Sequence, residues 1–271
     1  MRIPLEDLFE DIVGKAQRGL QVSDQDVCRR ARLSVEEFRS LKKESGNPDA
    51  IPAVAAALSL GSKALAESYA GSWYPSDVPE IEGAKQFNSA LIDVTVNAYL
   101  VWNPETKEAA IFDTGSDATE LLAFVNSAGL TPKYLFLTHT HQDHIADLAA
   151  IVKRTHVEIF SPDLERLPET KIVREGDQLR LGKLRIEARL TNGHSPGGTS
   201  YIVQGLQNPV AVVGDSLFAG SMGGAPNDYQ KALRNNIEKL LSLPGNTLVC
   251  PGHGPLTTVA NEREHNPFFA R

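Results

Sequence analysis

Two textures of apolar and polar positions divide this chain near residue 71. In residues 4–70 Leu5, Phe9, Ile12, Val13 and Ala16 recur at three-and-four spacing, the stripe of a helix with one buried face. Ser23-Asp-Gln-Asp26 has the form of a helix start, and Ser34-Val-Glu-Glu37 that of a capping box, where hydroxyl and carboxylate satisfy free amides reciprocally. Residues 49–60 are rich in Ala and Leu, and residues 62–69 form a last short helix. Gly71-Ser-Trp-Tyr-Pro-Ser-Asp-Val-Pro79 then breaks the periodicity.

From residue 91 the texture becomes that of strands. Residues 91–102 and 108–113 flank Asn103-Pro104 as a hairpin. A helix over 117–128, a strand over 134–137 and a helix from Asp143 to Ile151 follow. Further strands are predicted over 157–160, 178–181, 184–191, 200–203, 210–213 and 247–250. A helix over 228–241 would bury Tyr229, Leu233, Ile237 and Leu240. This is an α/β pattern suited to two packed sheets with helices outside. Three segments result: a helical N-terminal extension (1–70), a linker (71–84) and a mixed α/β domain (85–271).

Composition narrows the class. Hydrophobic residues make up 41% of the 271 and charged residues 23%, as in globular enzymes. The net charge of −7 argues against a polyanion-binding surface. No apolar run approaches the roughly 18 residues of a spanning helix, and the acidic N-terminus is no secretory signal. Cys28 and Cys250 are too few for a disulfide framework and fit small buried positions. A cytoplasmic enzyme with a small-molecule substrate and no membrane partner is expected, with homo-oligomerisation left open.

The chemistry concentrates in His139-Thr-His141-Gln-Asp143-His144. Imidazole and carboxylate are the usual nitrogen and oxygen ligands of zinc and its neighbours. On extended backbone His139 and His141 point the same way. Asp143 and His144 suit the first turn of the helix that follows, so one segment can face two metals. Gly193-His194-Ser, Gly214-Asp215 and Gly252-His253-Gly supply further donors, and five of the seven histidines fall in these Gly- or Pro-flanked stretches.

In that order these motifs resemble the metallo-β-lactamase superfamily. Ile111-Phe-Asp113-Thr-Gly115, Gly214-Asp-Ser-Leu-Phe-Ala-Gly-Ser221, Pro251-Gly-His-Gly-Pro-Leu-Thr-Thr258 and Glu262-Arg-Glu-His-Asn-Pro-Phe268 make the chain similar to short bacterial glyoxalase II (hydroxyacylglutathione hydrolase)-like enzymes. The resemblance implies an αββα sandwich over residues 85–271, preceded here by a small all-helical domain. It implies two divalent ions, zinc first with iron or manganese as alternatives. His139, His141 and His194 would hold one, Asp143, His144 and His253 the other, and Asp215 would bridge them. Asp143 and Asp215 are the carboxylates at the reacting centre. Ions about 3.5–4 Å apart can share a hydroxide, since bound water titrates near neutrality, and a thiolate leaving group needs no acid.

Around this set, Asp113 either orients a ligand imidazole or starts the turn before Thr-Gly. Ser195, Thr199 and Thr258 offer hydroxyls that ordinary loop bonding explains equally well. His156 and His265 match no ligand position. Full-length glyoxalase II enzymes carry a C-terminal helical domain, whereas sixteen residues follow Pro255 here. They also carry a basic residue after Gly-Asp, where this chain reads Ser221-Met-Gly-Gly-Ala-Pro226. Glutathione thioesters are therefore expected to bind weakly, with the N-terminal helices or Trp73-Tyr74 walling the pocket instead. A persulfide dioxygenase with one iron and a lactonase share much of this site. Asp215, where many zinc β-lactamases carry Cys, counts against an antibiotic substrate.

Residues 1–70 also resemble a Cro/repressor-type helix-turn-helix, which would make a ligand-responsive DNA-binding regulator. They hold ten Lys or Arg and eleven Asp or Glu, a net of −1. Glu36 and Glu37 open the would-be recognition helix. DNA affinity rests on phosphate neutralisation, so a packing, lid or dimerisation role is expected instead and nucleic acid is not an expected partner.

Overall fold

The computed structural model describes residues 2–76, 78–92 and 94–270. Five helices come first: α1 (Phe9–Leu20), α2 (Asp24–Ala31), α3 (Val35–Lys42), α4 (Ile51–Leu58) and α5 (Ser62–Tyr69). Both expected caps form, with Asp26 N donating to Ser23 Oγ at 3.2 Å and Glu37 N to Ser34 Oγ at 3.1 Å. Leu5 falls outside α1. The helix starts later because the Asp11 carboxylate accepts the Leu8 amide at 3.0 Å and caps it there.

The remaining elements are β1 (Ala84–Leu91), β2 (Val94–Trp102), β3 (Glu108–Phe112), α6 (Thr119–Ser127), β4 (Thr131–Phe136), α7 (Gln142–Ile145), α8 (Leu148–Thr155), β5 (Glu158–Pro162) and β6 (Lys171–Val173). Then come β7 (Gln178–Leu181), β8 (Leu184–Leu190), β9 (Thr199–Gln204), β10 (Val210–Gly214), α9 (Tyr229–Asn235), β11 (Leu248–Pro251), β12 (Thr257–Thr258) and α10 (Val259–His265). They form two six-stranded sheets, ordered β1-β2-β3-β4-β5-β6 and β12-β11-β10-β9-β8-β7. The predicted hairpin is β2–β3, with Trp102 opposite Ala109.

Alternation along the strands sorts the layers. Phe112, Phe136 and Phe160 meet Tyr201, Val203 and Val212 between the sheets. Ile111 and Leu135 face outward onto Leu121, Val125 and Ile151 of the helices covering the first sheet. Ala211, Val213 and Val249 pack outward against Leu240 and Val259. Helices thus cover both outer faces, giving the αββα sandwich. Among the described residues no helix is long and apolar enough to cross a membrane.

The structure differs from the sequence reading in several places. Strand β1 was not expected, because only Phe87 of its eight residues is buried and polar edge strands lack apolar alternation. The helix expected from Asp143 to Ile151 is two helices. At their junction Asp147 turns its carboxylate onto the amide of Ala118, 2.8 Å away. Helix α10 over the tail was not foreseen either. Finally, Ile237 is 46% exposed while Asn236 is buried. Residues Asn236–Leu240 form a π-helical turn, whose extra residue rotates the register. Asn236 turns inward and donates to Ser216 O at 2.9 Å.

The N-terminal helices share a core with the sandwich. Phe9, Ile12, Val13, Phe38 and Leu58 form one buried cluster with Met222, Ala225, Tyr229, Ala232 and Phe268. The two approach closely at Gly19 of α1, where an added Cβ would lie 2.3 Å from the Tyr229 ring. A Gly-to-Ala change inside a helix usually stabilises by about 0.5–1 kcal/mol. Here the sign should reverse: Gly19→Ala is expected to cost about 1–3 kcal/mol through overpacking. Urea unfolding would read it, and a gain in stability would show that α1 does not bear on Tyr229.

Candidate metal centre

The loops following β3, β4, β10 and β11, with the β8–β9 connection, converge at one edge of the sandwich. His139 and His141 leave β4, and Asp143 and His144 occupy α7. His194 lies between β8 and β9, Asp215 directly follows β10, and His253 follows β11. Two donor groups result, His139, His141, His194 and Asp215, and Asp143, His144 and His253. The Asp215 carboxylate stands between them. Its Oδ2 lies 3.9 Å from His139 Nε2, 3.4 Å from His194 Nε2 and 3.5 Å from His253 Nε2. Its Oδ1 lies 3.4 Å from His144 Nε2, and Asp143 Oδ2 lies 3.2 Å from His253 Nε2. So close a cluster needs backbone without side chains: a Cβ on Gly252 would sit 2.1 Å from Asp215 Oδ1.

Hydrogen bonds at the far side of each ring fix which nitrogen is free. His144 Nδ1 is 2.9 Å from Asp113 Oδ2, His253 Nδ1 is 2.7 Å from Thr95 O, and His194 Nδ1 is 3.2 Å from Gly224 O. Those oxygens only accept, so each Nδ1 carries the proton and donates. Thr138 gives its hydroxyl proton to Asp113 Oδ2 at 2.7 Å. Its oxygen is then left to accept from His139 Nδ1 at 3.0 Å. Four Nε2 atoms therefore face the cluster, each a free lone pair when its ring is neutral. His139 Nε2 and His194 Nε2 both aim at His141 Nδ1, at 3.0 and 3.1 Å. One ring nitrogen cannot donate to both. His144 Nε2 and Asp215 Oδ1 are buried without a hydrogen-bond partner, although such atoms normally find one. Converging lone pairs and orphaned buried donors fit divalent cations held by nitrogen and oxygen.

The same accounting settles the neighbours. Asp113, with a left-handed φ of 55°, uses one oxygen on His144 and Thr138 and the other on the Thr138 amide at 2.7 Å; it is an orienting group. Thr199 bonds Gly197 O at 2.8 Å and Thr258 caps α10. His265 pairs with Glu67 at 2.7 Å and stacks on Trp73, while His156 ends α8 in the left-handed conformation. Trp73 abuts the Gly220 turn, and Tyr74 donates to Ile3 O at 2.9 Å.

Sequence reasoning missed several supports. Fully buried Asn97 donates from Nδ2 to Pro251 O and Gly254 O, each at 2.9 Å, and so holds the turn that carries His253. Glu6, Asp7 and Lys15 come from the N-terminal segment and α1. Glu6 packs beside Gly254, and its carboxyl is pushed to about 7, mainly by burial. Nothing at their own positions marks such residues, since each acts on a loop more than 150 residues away.

Charge is distributed unevenly. Burial holds the His139 and His194 imidazoles below the usual histidine range. Burial also disfavours charge on His144 and His253, but neighbouring carboxylates outweigh it, Asp215 and Asp113 for the first, Asp143 and Asp215 for the second. They rise to about 10 and about 11. Burial would raise Asp143, yet His253 and His144 hold it at about 2. Without a cation, His144 and His253 are thus protonated at neutral pH. Those pairs support the fold below the ordinary histidine value and are lost as pH rises through about 10. A cation needs both rings neutral, so its uptake should eject about two protons per chain at pH 7. Apparent affinity should then rise with pH from 6 to 9. Calorimetry in buffers of different ionisation enthalpy measures this, and uptake without proton release would contradict it.

A family model described as metallo-beta-lactamase superfamily matches residues 91–253. The chain is 31% identical over 210 residues to hydroxyacylglutathione hydrolase GloC of Haemophilus influenzae, spanning 67% of this chain and 98% of that one. Among solved structures it resembles BLEG-1 B3 metallo-beta-lactamase, with a TM-score of 0.62 and 32% identity over 69% of this chain and 100% of that one. It also resembles TTHA1623 in a di-iron-bound form, with a TM-score of 0.54 and 30% identity over 67% and 99%. The chain belongs to the metallo-β-lactamase superfamily and is a hydrolase.

Proposed function

We propose that this hydrolase uses two divalent cations to cleave small thioesters. The observation that carries this reading is the position of Asp215, within 3.9 Å of four imidazole nitrogens drawn from both donor groups. His139, His141 and His194 would hold one cation and Asp143, His144 and His253 the other, with Asp215 between. Zinc suits this nitrogen and oxygen set, and iron or manganese would also fit it. Cations bound there would bring the pKa of water toward neutrality and polarise a carbonyl.

The chain's own groups do the rest. Asp113, Thr138, Gly224 and Thr95 keep the rings in one tautomer, so the geometry is set before substrate arrives. Asp143 stays ionised and offers its remaining lone pairs to an attacking water. The six histidine and aspartate side chains around Asp215 all face the cluster, which leaves none free to protonate a leaving group. A thiolate departs without a proton, and this favours thioesters over amides. Asp143, His144 and His253 complete a second donor group, which can hold a second cation.

Among small thioesters, those of glutathione are processed by the relative GloC and are the first to test. The loop from Ser221 to Pro226 carries no basic side chain. The ammonium that reaches it, Lys15, is already paired with Asp7. An anionic glutathione arm therefore has no free cation there, and its binding should be weak, at some cost in turnover too. We also assign residues 1–70 to the enzyme and not to DNA, given their balanced charge and their shared core. Steady-state kinetics on S-lactoylglutathione, other thioesters and lactones test the reading. Thioester turnover that falls by more than about a hundredfold in Asp215→Ala is expected, since losing even an outer-shell partner costs 10–100-fold. Lactone hydrolysis with no thioester turnover would overturn it.

A further inference from the structure

His194 depends on a carbonyl in a loop that has little to hold itself. Its Nδ1 donates to Gly224 O, within Ser221-Met-Gly-Gly-Ala225, where Gly223 and Gly224 contribute no side chains. Beyond the paired backbone bonds between Phe218 and Ser221 at its start, what fixes this loop comes from elsewhere. Below, Asn266 Nδ2 donates to Ser221 O at 2.7 Å, and Glu262 accepts the Gly220 amide at 3.0 Å. Above, polar contacts come from the N-terminal region. Lys15 Nζ donates to Met222 O at 3.0 Å and pairs with Asp7, which also accepts from Ser221 Oγ. The Lys15 ammonium lies 4.9 Å from the Phe218 ring centroid, and that ring packs edge-on to His253 at 5.9 Å. Met222 itself is buried in the helical cluster with Phe9, Ile12 and Val13.

We propose that Lys15 is a positioning residue of the metal centre: locked to Asp7, it holds Met222 O and thereby the Gly224 carbonyl that orients His194. Substrate binding is not its task, because its donors are already committed and its side chain is only 14% exposed. The N-terminal helices would thus be the clamp on a loop that the sandwich alone supports from one side. Orienting partners of a ligand imidazole change metal affinity by about 10–100-fold. Lys15 acts one bond further away, so an effect near the lower end, about tenfold, follows.

The inference rests on the two-cation reading, so its test needs one readout that uses no metal. Amide hydrogen exchange over residues 220–226 and zinc titration of the metal-free protein are compared for Lys15→Met, Lys15→Arg, Asp7→Asn with Lys15→Met, and Val27→Ala. Val27, on α2, is buried in the same helical core with no polar contact to the loop, and reports plain loss of stability. Lys15→Met should speed exchange across the loop and weaken zinc binding about tenfold. Lys15→Arg should restore most of both, and Val27→Ala should change neither in the folded protein. The double variant removes the unpaired Asp7 charge, so it should recover thermal stability without recovering affinity. If Lys15→Met leaves loop exchange unchanged, or loosens the loop with zinc affinity intact, the proposal is overturned. Failure of the wild-type protein to bind any cation would instead refute the metal-centre reading, while loop exchange would still judge the clamp.

Discussion

Asp215 is a carboxylate only 7% exposed, packed among four imidazole nitrogens. Burying an ionised carboxylate is costly unless opposite charge and hydrogen bonds surround it. In the metal-free protein that charge comes from protons on His144 and His253. Cations in the same cluster would replace those protons with stronger and more localised charge. The rest of the site is built around this one buried anion. Gly252 admits it, Gly214 ends β10 so that it can point into the cluster, and every neighbouring ring is turned toward it.

A sandwich of two sheets is well suited to that task. Residues following β3, β4, β10 and β11 leave strand ends that are buried on both faces, so their backbone has little freedom. The loops then add orientation. A carbonyl, a carboxylate or a hydroxyl meets the far nitrogen of His253, His194, His144 and His139. The geometry of the cluster therefore does not wait on ligand binding. Lys15 and Asp7 extend this support into the N-terminal helices, which share their core with Met222 and Tyr229.

The parts legible in the sequence are those with short-range signatures. The HxHxDH segment, the Gly-flanked histidines, the capping serines and the apolar strands all announce themselves within a few residues, and the structure gathers the seven donors into two adjoining groups. The parts that were not legible are long-range or depend on exceptions to periodicity. Asn97, fully buried on β2, looks like any polar strand residue until its two bonds to the His253 turn are seen. Lys15 reads as a solvated helix lysine. Strand β1 hides because a polar edge has no alternation, and Ile237 was misplaced because a π-turn breaks the 3.6-residue period. Asp113 could be read two ways from Asp-Thr-Gly alone, and only the contact with His144 decides between them.

The central claim is that the seven side chains form one centre for two cations with Asp215 between them. X-ray absorption on protein loaded with zinc, combined with elemental analysis, tests it most directly. The account predicts two zinc ions per chain, nitrogen and oxygen ligands alone, and a metal–metal vector of about 3.5–4 Å that disappears in Asp215→Ala. One ion per chain at saturation, or two with no metal–metal vector, would contradict it.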